Sequence, residues 1–152
     1  MPFGLLCDLV HGAMAGAPRC ELVGALAAQI VTGRDENMRG DLAIDLAIFM
    51  RDNPDCGESR ANLDALTRLL TDRNDAVVAG AAAALGSMGS SARSAVPALQ
   101  RALKEVDAQL GLGQETMLPS QSSDQAIRDA LRKITGRTIP DYNEQQNRPE
   151  SK

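Results

Sequence analysis

The sequence is poor in aromatic side chains. Aromatics make up 2% of its 152 residues: Phe3, Phe49 and Tyr142, with no tryptophan. That poverty excludes sheets that stack nucleobases on aromatic platforms. It also argues against a β-sandwich, whose strands draw on aromatic and β-branched residues. Long apolar runs are missing too, since no stretch approaches the roughly 20 residues needed to span a bilayer. The segment Met1 to Ala17 is apolar, but the first arginine is Arg19, and Asp8 and His11 interrupt the stretch. A secretion signal is therefore not expected. Cysteine is scarce and odd in number. Cys7, Cys20 and Cys56 show no CxxC spacing, which points to reduced, mostly buried thiols in a cytoplasmic protein rather than a disulfide framework. Cys7 and His11 lie one helical turn apart with Cys20 nearby, but three scattered candidates fall short of the four ligands of a closed metal site.

Positive charge is also in deficit. The formal net charge is −4, and residues 1–59 carry four arginines against nine carboxylates. Residues 60–136 are nearly balanced, and residues 137–152 hold equal numbers of each sign. An acidic front half does not attract a phosphate backbone, so nucleic-acid binding is disfavoured.

What is present is helical periodicity. Pro18 to Thr32 carries Leu22, Leu26 and Ile30 at a spacing of four and stops at Gly33. Glu36 to Arg51 places Met38, Leu42, Leu46 and Phe49 on one face. Asn53-Pro54-Asp55-Cys56-Gly57 has the chemistry of a loop. Ala61 to Thr71 holds Leu63, Leu66, Leu69 and Leu70, and Asp72 to Asp75 forms a turn with N-cap candidates. Val77, Ala81, Ala84, Leu85 and Met88 define the next helix, up to Gly89. Ser90 or Ser91 can cap a helix with Val96, Leu99 and Leu103 on its core side. A last helix, capped by Asp124 or a preceding serine, carries Ile127, Leu131 and Ile134 and closes at Gly136. A shorter N-terminal helix is expected near Gly4 to Met14.

The pattern repeats. A shift of 33 superposes Leu66 on Leu99 and Leu70 on Leu103. A shift of 39 superposes Met38 on Val77, Leu42 on Ala81, Leu46 on Leu85 and Phe49 on Met88. Pairs of short helices at such periods cannot bury their apolar stripes alone and must stack on neighbours.

Asp72-Arg-Asn-Asp-Ala-Val77, followed by Ala81-Ala-Ala-Ala-Leu85-Gly-Ser-Met-Gly89 and by Ala95-Val-Pro-Ala-Leu99 with Ala102-Leu103, resembles the HEAT repeat, in particular its bacterial, phycobilin-lyase-like variety. The resemblance covers residues 60–105 well. Over 18–51 and 124–136 it lies in the apolar spacing alone. Two positions depart from the family pattern. Val78 stands where an arginine is frequent, whereas Arg39 occupies that place one repeat earlier. The proline near the start of the first helix occurs as Pro97, with Asp64 at its place in the preceding repeat.

The resemblance implies an all-α fold, a short right-handed α-solenoid of about three HEAT-like helical pairs over residues 1–136. The polar composition of 137–152, with Pro140 and Pro149, leads to the expectation of a mostly disordered tail. The segment 106–123, with Gly111, Gly113, Pro119 and a Ser/Gln run, is expected to form a long loop. The implied function is a non-enzymatic module that binds a protein partner on the concave face of the second helices. Other readings are a phycobilin-lyase-like enzyme or enzyme subunit, or a HEAT-like DNA-binding module. No cofactor, metal or membrane is called for. Self-association through exposed solenoid ends is a further expectation.

Candidate contact residues follow from the second helices. Away from its core stripe, the central one holds Ala79, Ala82, Ala83 and Gly86. One repeat earlier the places are Gly40, Ala43, Ile44 and Ala47; in the last helix they are Gln125, Arg128, Asp129 and Arg132. Such a smooth surface serves either close helix packing or a shallow groove with a basic rim. Arg39, Arg128 and Arg132 are the expected anchors, since arginine is enriched at interface hot spots. Asp41 and Asp45, one turn apart, form an acidic pair on one face, read more simply as a solvated or arginine-paired stripe than as acid/base or cation chemistry. Gly111-Leu-Gly113 lacks the preceding strand and following lysine of a phosphate loop.

Overall fold

The structure, a computed structural model, describes residues 20–111 and 123–137. Six helices occupy them: α1 (Glu21–Thr32), α2 (Glu36–Asp52), α3 (Arg60–Leu69), α4 (Asp75–Ser87), α5 (Val96–Gly111) and α6 (Ser123–Thr135). Pro54–Glu58 and Gly89–Ala95 are 3-10 turns between them. Helices α1/α2, α3/α4 and α5/α6 form three successive pairs. The second members lie side by side in the order α2, α4, α6, while α1 packs against α2 and α3. The all-α solenoid of three pairs expected from the sequence is what the chain forms. The expected helix at Gly4–Met14 and the tail beyond Arg137 lie outside the described residues.

Local chemistry explains the helix starts. Asp35 caps α2 by accepting from the N–H groups of Asn37 and Met38 at 3.0 and 3.2 Å. Asn74 caps α4 in the same way, through the N–H groups of Ala76 and Val77. Each cap satisfies donors that the first turn of a helix leaves without intrahelical partners. The two caps stand 39 residues apart, the longer of the two sequence periods. Gly136 ends α6 with φ +72°, a conformation costly for other residues, while its N–H donates to the carbonyl of Arg132.

The core is aliphatic apart from Phe49, as the composition requires. Val23, Leu26 and Ile30 of α1 join Leu42, Leu46 and Phe49 of α2, Leu66 and Leu69 of α3, Val77, Ala81 and Leu85 of α4, Leu99 of α5, and Ile127, Leu131 and Ile134 of α6. Small residues let the second helices come close. A Cβ on Gly80 would stand 2.6 Å from the carbonyl oxygen of Ala43, and one on Gly86 3.0 Å from the Cα of Ala130. Both glycines mark seams where backbone meets backbone, as helix packing at short interaxial distance demands.

Three expectations are corrected. Cys20 and Cys56 form a disulfide, with their Cα atoms 4.9 Å apart, so the reading of three reduced thiols does not hold. The reason is tertiary. Packing of α1 beside α3 brings the start of α1 against the 3-10 turn that precedes α3, although the two cysteines are 36 residues apart in sequence. Asn62, 7% exposed, braces the same junction by donating to the carbonyls of Cys20 and Cys56 at 3.0 and 2.8 Å. Second, residues 106–111 of the expected loop 106–123 are helical, and residues 112–122 lie outside the described residues. Helix α5 continues through Gly111 and α6 begins at Ser123. Val106 and Asp107 are half-buried on α5, so packing carries the helix past the loop start expected at Val106. Third, Asn53 to Gly57 is less open than a loop. It winds into a 3-10 turn that buries Cys56 and Gly57.

Candidate functional site

The three second helices enclose a shallow groove of about 500 Å³. Its floor is α4, with Ala76, Ala79, Ala83 and Ser87. One wall is α2, with Ile44, Ala47, Ile48 and Arg51; the other is α6, with Ala126, Asp129, Ala130 and Lys133. Ala83 is exposed and Ala79 half-buried, whereas Gly40, Ala43, Ala82 and Gly86 are buried. The small residues of the second helices therefore divide between two tasks. One set closes the helix seams, and the other leaves a smooth surface open to solvent. Ile44 and Ile48 stand on the rim, 46% and 37% exposed. Arg51 and Lys133 flank the end of the groove formed by the C-terminal turns of α2 and α6. The alkyl stem of Lys133 lies close over Gly86 and leaves its charged head in water.

The residues expected to make contact are spread over distinct environments. Ala79 and Ala83 are in the groove. Asp41 is exposed on α2 and Asp45 half-buried there; neither lines the groove. Arg132 is exposed and pairs with Asp129 at 3.0 Å. Arg39 and Arg128 are turned inward. The side chain of Arg39 is 11% exposed; it donates to the carbonyl of Ile30 at 2.6 Å, to Glu36 at 3.1 Å, and to Asp72. The side chain of Arg128 is 2% exposed and pairs with Asp107 at 2.8 Å, with Asp124 4.0 Å away. Both serve as internal struts. Sequence spacing placed the residues on helices correctly but carried no signal for the carboxylates that reach them from other elements.

Sequence reasoning missed Arg51 on the groove's charged end and named Ile44 only as part of a smooth face. Amphipathic spacing held the available signal: Ile44 and Ile48 lie off the Leu42–Leu46–Phe49 core stripe, one turn apart.

Carboxylates at the helix starts form a second recurring device. Glu36, the first residue of α2, accepts from the side-chain amide of Asn74, which caps α4. Asp75, the first residue of α4, accepts from the backbone N–H and the hydroxyl of Ser123 at the start of α6. Helices α2 and α4 are thus each tied by a first-residue carboxylate to the start of the next second helix. A further recess of about 580 Å³ lies between α3 and α5, where Arg68, Arg73, Arg101 and Glu105 form part of its lining. Among the described residues no three His, Cys, Asp or Glu side chains gather closely enough to hold a metal ion. Cys7 and His11 lie outside those residues, and Cys20 is committed to its disulfide. No helix among them is long and apolar enough to cross a membrane.

Stacked helical pairs, second helices in one layer, and carboxylate ties between their starts define an α-solenoid of short helical repeats. A family model described as HEAT repeats matches residues 23–110, more than half of the chain, and the chain belongs to that family. No curated protein and no solved structure matches it.

Proposed function

We propose that this protein is a non-enzymatic docking module that receives a protein partner in the groove over α4. The observation that carries the reading is the open, apolar floor of Ala79 and Ala83 between the exposed Ile44 and Ile48 and the opposite wall of α6. Small floor residues admit a helix to short distance, and apolar side chains of the partner gain from leaving water there. Rim cations Arg51 and Lys133 favour a partner with a carboxylate at the matching end. HEAT-like stacking supplies a rigid platform for such recognition, and membership of the family supports an interaction role.

Replacement of Ala83 by Asp tests this. Ala83 is exposed, so the variant is expected to keep its melting temperature within a few degrees while losing partner capture from the native host. Retained capture overturns the reading. The phycobilin-lyase-like alternative gains no supporting residue from the groove, whose lining is mostly small and aliphatic, with Ser87, Gln125 and Asp129 besides the rim cations. Co-expression with a bilin source, read as visible absorbance, tests it directly. The DNA-binding alternative meets a groove with both Asp129 and the rim cations on its walls. Salt-dependent duplex binding would revive it.

The Cys20–Cys56 bond bears on location. Disulfides persist in oxidising compartments and are rare in the cytosol, so the cytoplasmic placement expected from the sequence loses its cysteine argument.

A further inference from the structure

The exposed stripe of α2 has a self-complementary order. Asp41, Ile44, Ile48 and Arg51 fall within one arc of the helix, because successive steps of three, four and three residues return to nearly the same face. Asp41 and Arg51 stand about 15 Å apart along the axis, at 1.5 Å per residue, with the two isoleucines between them. Ile44 and Ile48 are two of the three exposed large hydrophobic side chains among the described residues. Read in the opposite direction, the stripe is base, apolar, apolar, acid. Two copies laid antiparallel would therefore set Asp41 against Arg51 of the other copy at both ends, and Ile44 against Ile48 in the middle.

We propose that the occupant of the groove is a second copy of this chain, joined through α2 about a two-fold axis. The inference rests on the reading of the groove as a docking surface and names what docks. A two-fold contact uses the same patch on both copies, so it requires a patch that complements itself, and the α2 stripe does. The floor beside it fits the same arrangement. Ala79 and Ala83 carry nothing beyond Cβ, which leaves room for the isoleucines of an approaching α2. Lys133, on the opposite wall at the Arg51 end, adds a second cation facing an incoming Asp41. In the single chain Arg51 reaches only its neighbour Asp52, at 3.1 Å and with 68% of its own side chain exposed, a weak surface pair that the intermolecular contact can replace. This is a different surface from the solenoid ends that repeat architecture alone would nominate.

Sedimentation equilibrium of the full chain at about 100 μM, a concentration that reveals even micromolar association, is expected to give twice the 16.1 kDa chain mass. D41R places arginine against arginine and R51D places aspartate against aspartate. Each is expected to weaken the dimer at least about tenfold, the effect of losing one favourable charged contact per half-site and gaining a repulsive one. The double variant D41R/R51D reverses the stripe while keeping it self-complementary, so it is expected to restore the dimer; a partner of any other kind would not be rescued. Ile44→Asp is expected to give a monomer with unchanged helical circular dichroism. A monomeric wild type overturns the proposal, as does a dimer that persists in Ile44→Asp or a double variant that stays monomeric. The first of these outcomes leaves the docking reading standing, to be judged by the Ala83→Asp capture; a dimer indifferent to both Ile44→Asp and Ala83→Asp forms elsewhere and removes the groove from self-association.

Discussion

Arg39 reaches across 33 residues of sequence to pair with Asp72, and Asp72 with its other oxygen accepts the backbone N–H of Asn74 at 2.9 Å. The same guanidinium holds the carbonyl of Ile30 in the last turn of α1 and the carboxylate of Glu36 at the start of α2. One side chain thus joins the first helical pair to the turn that launches α4. Side-chain exposures of 11% and 12% keep this pair largely out of water, where removing one partner strands the other.

Arg39→Ala is accordingly expected to cost about 3 kcal/mol of stability, in the range for breaking a buried pair from one side. Urea denaturation would read it. Arg39→Lys should recover only part of the loss, because an ammonium cannot fork to a carboxylate and a carbonyl in the geometry a guanidinium can. A loss below about 1 kcal/mol, the level of an ordinary surface pair, would show that the network is ornamental.

The two arginines of α6 should behave oppositely. Arg128, with 2% of its side chain exposed, is held by Asp107 and Asp124, and its replacement by Ala is expected to cost about 3 kcal/mol. Arg132, 55% exposed beside Asp129, should change stability by less than about 0.5 kcal/mol on the same replacement. Thermal melts of the two variants side by side make the comparison, and equal losses would contradict it.

Glycine substitutions offer a test of the close seams. In Gly80→Ala the new methyl meets the backbone of Ala43 at 2.6 Å, and backbone cannot step aside. Helices α2 and α4 must separate, at about 1–3 kcal/mol. Gly24→Ala in α1 has nothing within 4 Å of the new Cβ, so helix propensity dominates and a gain of about 0.5–1 kcal/mol is expected. Chemical denaturation of the two variants would reverse the interpretation if their signs were exchanged.

Reduction of Cys20–Cys56 should lower stability by about 4 kcal/mol on the chain-entropy model for a loop of this length. Melting with and without a reducing agent measures it. Alkylation of the unreduced chain should label at most one of the three cysteines, and labelling of all three would disprove the bond.

Much of the architecture was readable from periodicity, and particular elements show why. Leu42, Leu46 and Phe49 recur on one face of α2, and Val77, Ala81 and Leu85 on one face of α4, because a helix returns every 3.6 residues to the same side. All six of those side chains are buried. A cap for α4 was legible within Asp72 to Asp75 because capping chemistry is local, and Asn74 is the residue that fills it. The groove was legible in part. Ala79 and Ala83 were named from helical spacing, but the same spacing could not separate them from Ala82 and Gly86, which face a neighbouring helix. Arg39 and Arg128 were visible as charges and not as struts, since Asp72 and Asp107, which hold them, lie outside their own helices. The expected loop began too early for a similar reason: half-buried Val106 and Asp107 belong to the packed structure, and α5 runs on to Gly111.

The amino-acid sequence by itself determined that this chain is a stack of short helices with an aliphatic core. Helical periods, caps and the dearth of aromatics act within a few residues of one another and require no knowledge of distant contacts. Only the tertiary structure decided which small residues close a seam and which line a groove, which arginines stay at the surface, and that Cys20 meets Cys56. Those outcomes depend on elements brought together from 20 to 50 residues apart, and linear spacing encodes no distance between such elements.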